Sequence, residues 1–170
     1  ASQEGEAPWW AAFPEAKAEC PRMEASEVKA LLDADANAGQ DAKRSFLLVD
    51  VRRTDWEGGT VKTSINLPAH TLYQTRPTIY QLCKQANVDK VIFYCGTIVE
   101  FPRKGSANGH VNSRKFQRKR AKAAGWFQDY LNDVGETNIK AIVLAGGIKG
   151  WQKTYGGEMM DWYDEKVWTK

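Results

Sequence analysis

The sequence predicts an α/β domain in which a central parallel sheet is flanked by helices. Short continuous apolar runs are typical of buried strands, and segments with apolar residues at helical spacing lie between them. Strands that alternate with helices favour a parallel sheet covered on both faces, with right-handed crossovers. The 170 residues suit a single domain, and 42% hydrophobic with 26% charged residues is typical of a globular chain. We therefore expect a three-layer fold.

The first 22 residues differ from the rest of the chain. Pro8, Pro14 and Pro21 lie around Trp9, Trp10 and Phe13, a pattern that favours an arm held by aromatic anchors over a helix or a strand. We expect residues 1–22 to pack as an arm on a single domain formed by residues 23–170. The first predicted helix follows Ser26 and ends before Gly39.

The predicted strands are three apolar runs that end at polar, thiol or glycine residues. They are residues 46–49 before Asp50, residues 91–94 before Cys95, and residues 139–144 before Ala145, Gly146 and Gly147. The predicted helices between them are residues 78–86 and 121–134. Ligands in such sheets bind outside the carboxyl ends of the strands. Cys95 is therefore a candidate site residue.

The positive charge of the chain is concentrated in one segment. The total formal charge is +3, but residues 97–122 hold eight bases against one acid, or +7, so the remaining residues carry −4. This segment could meet a phosphorylated or acidic protein partner. A nucleic-acid partner is not favoured, because Phe116 is the only aromatic residue among the bases from Arg114 to Lys122.

The cysteines indicate a reducing compartment. Cys20, Cys83 and Cys95 are an odd number at wide spacings without a Cys-x-x-Cys pair, so neither a disulfide framework nor a metal site is indicated. We expect a cytoplasmic or nuclear protein, because no secretory signal opens the sequence and no apolar run reaches the about 20 residues of a membrane span. Cys20 and Cys83 are expected to pack in the domain, although either could resolve a persulfide if it lies near Cys95.

Four motifs in order resemble the rhodanese family. Residues 48–52, Leu-Val-Asp-Val-Arg, are similar to its first-strand signature, and residues 59–68 to its G-x-I-x-G-S-x-N-x-P stretch, from which Val61 and Thr63 depart. Residues 91–96 resemble the strand that delivers the active-site cysteine, and residues 143–151 resemble the closing L-x-G-G-x-x-x-W motif. The resemblance covers about residues 24–151 and is closest to small single-domain members of fungal type.

The resemblance implies cysteine chemistry without a metal or another cofactor. In sulfurtransferases of the family the cysteine takes sulfane sulfur as a persulfide and passes it to a thiol or cyanide acceptor. In related phosphatases and arsenate reductases, a Cys-x5-Arg loop holds a tetrahedral oxyanion. By resemblance Cys95 is the nucleophile, with Gly96, Thr97, Arg103, Lys119 and Arg120 as candidate oxyanion or substrate-binding residues and Asp50, Arg52, Gly146 and Gly147 as supporting residues.

The loop after Cys95 departs from both family patterns. The first arginine is Arg103, at Cys-x7-Arg, and alignment back from Gly125 places Lys119 where a loop arginine would lie. Residues of about 97–120 therefore read as an insertion in the active-site loop. The insertion could loop outward and leave the site intact, destroy the site, or be a non-native segment. We expect a sulfurtransferase, with a phosphatase or arsenate reductase and a catalytically inactive binding scaffold as the alternatives.

Overall fold

The structure, a computed structural model, describes residues 7–96 and 122–169. A 3-10 helix covers Trp9–Ala12. The helices are α1 (Ala25–Asn37), α2 (Ala69–Gln85), α3 (Lys122–Asp133), α4 (Gly147–Tyr155) and the short α5 (Glu165–Trp168). The strands are β1 (Arg22–Met23), β2 (Phe46–Asp50), β3 (Thr60–Val61), β4 (Ile65–Asn66), β5 (Lys90–Tyr94), β6 (Lys140–Leu144) and β7 (Met160–Asp161).

The central sheet is parallel throughout and confirms the predicted α/β class. Its five strands are ordered β1-β6-β5-β2-β4. In β5, Tyr94 pairs with Asp50 of β2, and Phe93 pairs with Val143 of β6. A separate antiparallel pair joins β3 to β7. Because β5 is the middle strand, the residue that follows it lies at the centre of the carboxyl edge.

Alternation along the strands divides the hydrophobic core into two layers. In β5, Val91 and Phe93 pack with α2 and α3 on one face, whereas Ile92 and Tyr94 pack with α1 and α4 on the other. Successive side chains of a strand point to opposite faces, so this is the pattern that a sheet buried on both sides requires. Cys95 packs partly against the α2 and α3 layer, in step with Val91 and Phe93.

Helix α2 is longer than the sequence predicted. It begins at Ala69, not at residue 78, and contains Pro77. A proline in a helix removes one N–H donor and leaves the carbonyl four residues earlier without its usual partner. Here that carbonyl belongs to Tyr73, and Arg76 Nε donates to it at 2.7 Å. The guanidinium of Arg76 also lies 3.7 Å from the centre of the Tyr73 ring, which helps to hold the turn around Pro77.

The segment before β1 packs on the α2 and α3 layer through aromatic side chains. Phe13 contacts Tyr73 and Trp126 at centroid distances of 5.1 and 5.5 Å. Trp126 Nε1 donates to the carbonyl of Pro14 at 2.8 Å, and Lys122 Nζ lies 3.0 Å from a carboxylate oxygen of Glu15. Contrary to expectation, this part of the chain includes a 3-10 turn and its last residue, Arg22, belongs to β1. The division into arm and domain stays a prediction.

The short strands had no recognisable sequence pattern. β1, β3, β4 and β7 contain two residues each, too few to show alternation. Their pairing comes from tertiary contacts, such as the backbone register of Thr60 with Asp161. Within residues 7–96 and 122–169, no helix has both the length and the apolar character needed to cross a membrane.

Candidate functional site at the end of strand β5

Cys95 lies directly after β5, at the carboxyl edge of the parallel sheet. Cys95 is partly buried, whereas the four residues before it are fully buried. The N-terminus of a helix that directly follows a parallel strand lies at this same edge, so α4 begins there after β6. Helix N-termini carry partial positive charge and favour anions. The position suits a thiolate that reacts with a bound ligand.

Backbone hydrogen bonds fix the chain on either side of Cys95. Val51 N–H donates to the carbonyl of Tyr94, and Ile148 N–H donates to the carbonyl of Cys95, both at 2.9 Å. Ile148 belongs to the first turn of α4, which is entered through Gly146 at φ 80° and Gly147 at φ 59°. Such angles favour glycine because they disfavour a Cβ atom. The two glycines therefore bring α4 onto the backbone of the candidate nucleophile.

A buried ion pair joins the last residue of β2 to the loop that follows it. Arg52 binds Asp50 through Nε and a terminal nitrogen, the latter at 2.7 Å, and the two side chains are 3% and 0% exposed. The guanidinium also donates to the carbonyls of Glu57 and Gly59. Because the pair is buried and joined by several hydrogen bonds, the two charges compensate one another. Arg52 thereby holds residues 57–59 against the sheet.

Tyr94 extends this polar network to the strand that precedes Cys95. Its hydroxyl oxygen lies 2.7 Å from Thr60 Oγ1 and 2.6 Å from Ser64 Oγ, and it accepts the N–H of Val61 at 3.1 Å. Thr60 Oγ1 in turn donates to Asp50 at 2.8 Å. Burial, together with the Asp50 charge, raises the pKa of Tyr94 well above its usual range. Tyr94 is therefore a neutral structural group that fixes the residue next to Cys95.

An open cleft of about 280 Å³ lies beside the polar network. Its apolar wall is formed by Ile148, Val167 and Trp168. Its polar lining comprises Arg52, Asp55, Glu57 and Lys149, and Gly96 completes it. Cys95 is not among the lining residues, so Gly96 links the cleft to the candidate nucleophile.

The short helix α5 contributes two residues, Val167 and Trp168, to the wall of this cleft. Trp168 Nε1 donates to the carbonyl of Gly58 at 2.9 Å. A Cβ atom on Gly58 would lie 2.6 Å from Trp168 Nε1, and the residue has φ 75°. Only glycine accommodates both the close approach of the indole and this backbone angle. The contact places the indole of Trp168 and the side chain of Val167 against the cleft.

The other two cysteines are in less reactive surroundings. Burial raises the pKa of the Cys83 thiol to about 11. Burial and the nearby charge of Asp129 raise the pKa of the Cys20 thiol to about 11 as well. All three cysteines are present as thiols, not as disulfides. Because the thiolate is the nucleophile, Cys20 and Cys83 are poor attackers near neutral pH.

The structure brings most of the predicted residues that it describes to one edge of the sheet. Asp50 and Arg52 pair there, and Gly146 and Gly147 approach Cys95 through α4. The predicted residues Thr97, Arg103, Lys119 and Arg120, with the predicted insertion at about 97–120, lie outside the described residues. Their roles, and those of the described residues, stay predictions.

Sequence reasoning missed several residues at this edge. Tyr94 was part of an apolar run, and its alternation with Phe93 was the available sign that it faces the opposite layer. The cleft residues Asp55, Glu57, Lys149 and Trp168 come from three separate segments of the chain. No local pattern joins these segments, so only the tertiary structure reveals the cleft.

The comparisons with known proteins agree with this architecture. A family model for the rhodanese-like domain matches residues 24–154. No curated protein matches the sequence. Among solved structures, an As-Sb reductase from Leishmania major is similar at 19% identity, with 84% of this chain and 85% of that chain covered and a TM-score of 0.59.

The Saccharomyces cerevisiae protein Ygr203w is similar in two structures, both at 22% identity and a TM-score of 0.62. One is described as a homolog of single-domain rhodanese and the Cdc25 phosphatase catalytic domain, and the match covers 88% of this chain and 91% of that chain. The other is described as a protein tyrosine phosphatase of the Rhodanese family, and the match covers 89% of this chain and 99% of that chain. At these identities the likeness is one of fold. By the match to the family model, the chain belongs to the rhodanese-like domain family.

Proposed function

We propose that this protein is a sulfurtransferase that carries sulfane sulfur as a persulfide on Cys95. The observation that carries the proposal is the position of Cys95, partly buried at the carboxyl edge, between the polar network of β2 and the start of α4. The other two thiols have their pKa raised to about 11 by burial. Cys95 is therefore the thiol best placed to meet a ligand from solution.

The first half of the reaction is attack of the Cys95 thiolate on the outer sulfur of a donor such as thiosulfate. The new S–S bond forms as the donor S–S bond breaks, and sulfite leaves with the bonding electron pair. The partial positive charge at the start of α4 favours both the thiolate and an anionic donor at this edge. Asp50, Arg52 and Tyr94 act by holding the backbone around Cys95.

In the second half an acceptor thiolate attacks the outer sulfur of the Cys95 persulfide. The S–S bond to Cys95 breaks, its electron pair returns to the Cys95 sulfur as thiolate, and the acceptor leaves as a persulfide. No external oxidant or reductant is needed, because the sulfane sulfur keeps its oxidation level from donor to acceptor. A single reactive cysteine therefore suffices.

The test compares wild type with Cys95→Ser in two measurements. The first is the rate of sulfur transfer from thiosulfate to cyanide, and the second is mass spectrometry of the protein and its Cys95 peptide after exposure to thiosulfate. We expect wild type to gain the mass of one sulfur atom on the Cys95 peptide and to form thiocyanate, and Cys95→Ser to do neither. Cys20→Ser is the matched control, since Cys20 is also partly buried. Transfer that survives in Cys95→Ser would refute the proposal.

A phosphatase or arsenate reductase is the second candidate. The observation that favours it is the similarity in fold to the As-Sb reductase and to Ygr203w, at TM-scores of 0.59 and 0.62. The Cys-x5-Arg spacing that such enzymes use is absent after Cys95, which places this candidate second. The same variants assayed with an aryl phosphate and with arsenate decide between the two. A folded protein without any of these activities would indicate a binding scaffold.

A further inference from the structure

Phe13 fills an aromatic pocket between α2 and α3. Its ring lies 5.1 Å from the ring of Tyr73 in α2 and 5.5 Å from that of Trp126 in α3, and the rings of Tyr73 and Trp126 are 5.6 Å apart. The tilted and edge-on arrangements are those that aromatic rings favour. Phe13 has an extended backbone and begins the docked segment, residues 13–18. The two helices therefore form the pocket, and an extended segment supplies its occupant.

The rest of the docked segment is held through its main chain. Trp126 Nε1 donates to the carbonyl of Pro14 at 2.8 Å. The two carboxylate oxygens of Asp129 accept the N–H groups of Lys17 and Ala18, both at 2.8 Å. Trp126 and Asp129 are three residues apart in α3, so they lie on one face of the helix. Hydrogen bonds to main-chain groups combined with a pocket for one side chain are typical of surfaces that recognise extended peptides.

Gly125 lets the docked segment lie directly on α3. A Cβ atom on Gly125 would lie 2.7 Å from the Cβ atom of Ala16 and 3.2 Å from the carbonyl oxygen of Ala18. This close approach favours a small residue at the position of Ala16. Lys122 Nζ, at the start of α3, lies 3.0 Å from a carboxylate oxygen of Glu15. The surface thus fits an aromatic residue followed by proline, an acidic residue and a small residue.

Helix α3 is also anchored to the sheet by contacts that do not involve the docked segment. Phe127 packs against Phe93 of β5 at a centroid distance of 5.7 Å. Gln128 Oε1 accepts the N–H of Ala141 in β6 at 3.0 Å. These contacts hold the helix in place when the docked segment leaves. Exchange of one extended segment for another therefore does not require the domain to unfold.

We propose that the surface formed by α2 and α3 is a peptide-binding groove, which the docked segment occupies in cis and from which a partner peptide displaces it. The partner is an extended segment of another protein with an aromatic residue, proline, an acidic residue and a small residue in succession. Its aromatic ring enters the pocket between Tyr73 and Trp126, and its main chain takes the hydrogen bonds of Trp126 and Asp129. The proposal concerns protein recognition and does not depend on the chemistry at Cys95.

The experiment measures the binding of a fluorescein-labelled peptide, with the sequence of residues 8–19, to the full-length protein by fluorescence anisotropy. The docked segment competes with this peptide at an effective concentration of about 1 mM, as for a short flexible linker. Phe13→Ala weakens the competitor and keeps the groove, so we expect it to bind the peptide about tenfold more tightly than wild type. Trp162→Ala removes an aromatic side chain that is 83% exposed, and this control should bind as wild type does.

Variants of α3 show where the peptide binds. In the Phe13→Ala background, Asp129→Asn keeps the size of the side chain but removes one of its two acceptor oxygens, so the peptide should bind about tenfold more weakly. Asp133→Asn, at an exposed position one turn later, is the matched control and should leave the affinity unchanged. Equal affinity of wild type and Phe13→Ala for the peptide, or no effect of Asp129→Asn, would overturn the proposal.

Displacement is followed in wild type through Cys20, which lies just after the docked segment. Burial and the charge of Asp129 raise the pKa of its thiol to about 11, so its thiolate is scarce at neutral pH. Saturating unlabelled peptide should make alkylation of Cys20 by iodoacetamide about tenfold faster, because each unit by which the pKa falls increases the thiolate tenfold. Cys83, which is 1% exposed in α2, is the internal control and should not change. An unchanged rate at Cys20, or an equal rise at Cys83, would contradict the displacement.

The oligomeric state separates a partner peptide from a second copy of this chain. Sedimentation velocity of wild type is measured over a range of protein concentrations, with and without the peptide. A monomer that binds the peptide supports the proposal. A dimer that the peptide converts into monomers would assign the groove to the docked segment of a second copy and overturn the assignment to another protein.

Discussion

Asp50 ends strand β2 and Asp55 lies in the loop that follows it, yet the two side chains lie in opposite environments. Asp50 is fully buried and accepts hydrogen bonds from Arg52 and Thr60. Asp55 is exposed, and the acceptor that it offers to Arg53 N–H leaves its charge uncompensated among the described residues. The difference predicts that the charge of Asp50 is needed for stability and that the charge of Asp55 is not. Burial and the presence of a partner decide between the two.

The largest effect is expected from removing the buried charge. Asp50→Asn leaves the Arg52 guanidinium buried without its counter-charge, and such changes cost about 3 to 5 kcal/mol of stability. Asp55→Asn, the matched change on the exposed side, should alter the free energy of unfolding by less than about 0.5 kcal/mol. Urea unfolding of both variants measures the contrast. Equal losses would show that the two carboxylates do not differ in the way described.

A smaller loss is expected at Tyr94. Tyr94→Phe removes the hydroxyl that meets Thr60, Ser64 and the N–H of Val61, and leaves the buried N–H of Val61 without its acceptor. The expected cost is about 1 to 3 kcal/mol, measured by the same unfolding. Tyr155→Phe is the control, because this hydroxyl has no hydrogen bond among those described and its loss should be nearly neutral. A neutral result at Tyr94 would mean that the network does not stabilise the end of β5.

The smallest effect is a gain at Thr63, near the same network. Thr63 has φ 68°, an angle that is unfavourable for a β-branched residue, and its Oγ1 is buried without a partner among the described residues. Thr63→Gly should therefore stabilise the protein by about 1 kcal/mol. Thr154→Gly, inside α4, should have the opposite sign, with a loss of about a few tenths of a kcal/mol. A loss of stability in Thr63→Gly would show that the contacts of the threonine side chain outweigh its backbone strain.

The long elements and the edge that holds Cys95 could be predicted from sequence, because continuous apolar runs identify buried strands of a parallel sheet. The start of α2 could not, since Pro77 reads as a helix breaker and only the contact of Arg76 with the Tyr73 carbonyl explains its tolerance. The sequence predicted Asp50 and Arg52 as supporting residues near the end of a strand. Their hydrogen-bond partners, Glu57, Gly59 and Thr60, became visible only in the structure.

The cleft is the part of the site that the sequence could predict least. Asp55 and Glu57 come from the loop after β2, Lys149 from α4 and Trp168 from α5. Each is ordinary in its own segment, and their shared property is a position around Gly96. A cleft of this kind arises from tertiary packing, so no spacing rule along the chain could have indicated it.

Site-resolved alkylation with iodoacetamide near pH 8 tests the central claim, that Cys95 is the reactive thiol. The pKa values of Cys20 and Cys83 are raised to about 11, so their thiolate forms are scarce at that pH and increase only as the pH rises towards 11. The account predicts that the Cys95 peptide is modified first, with the other two following only in strong alkali or after unfolding. Modification of Cys20 or Cys83 in the folded protein as fast as Cys95 would contradict it.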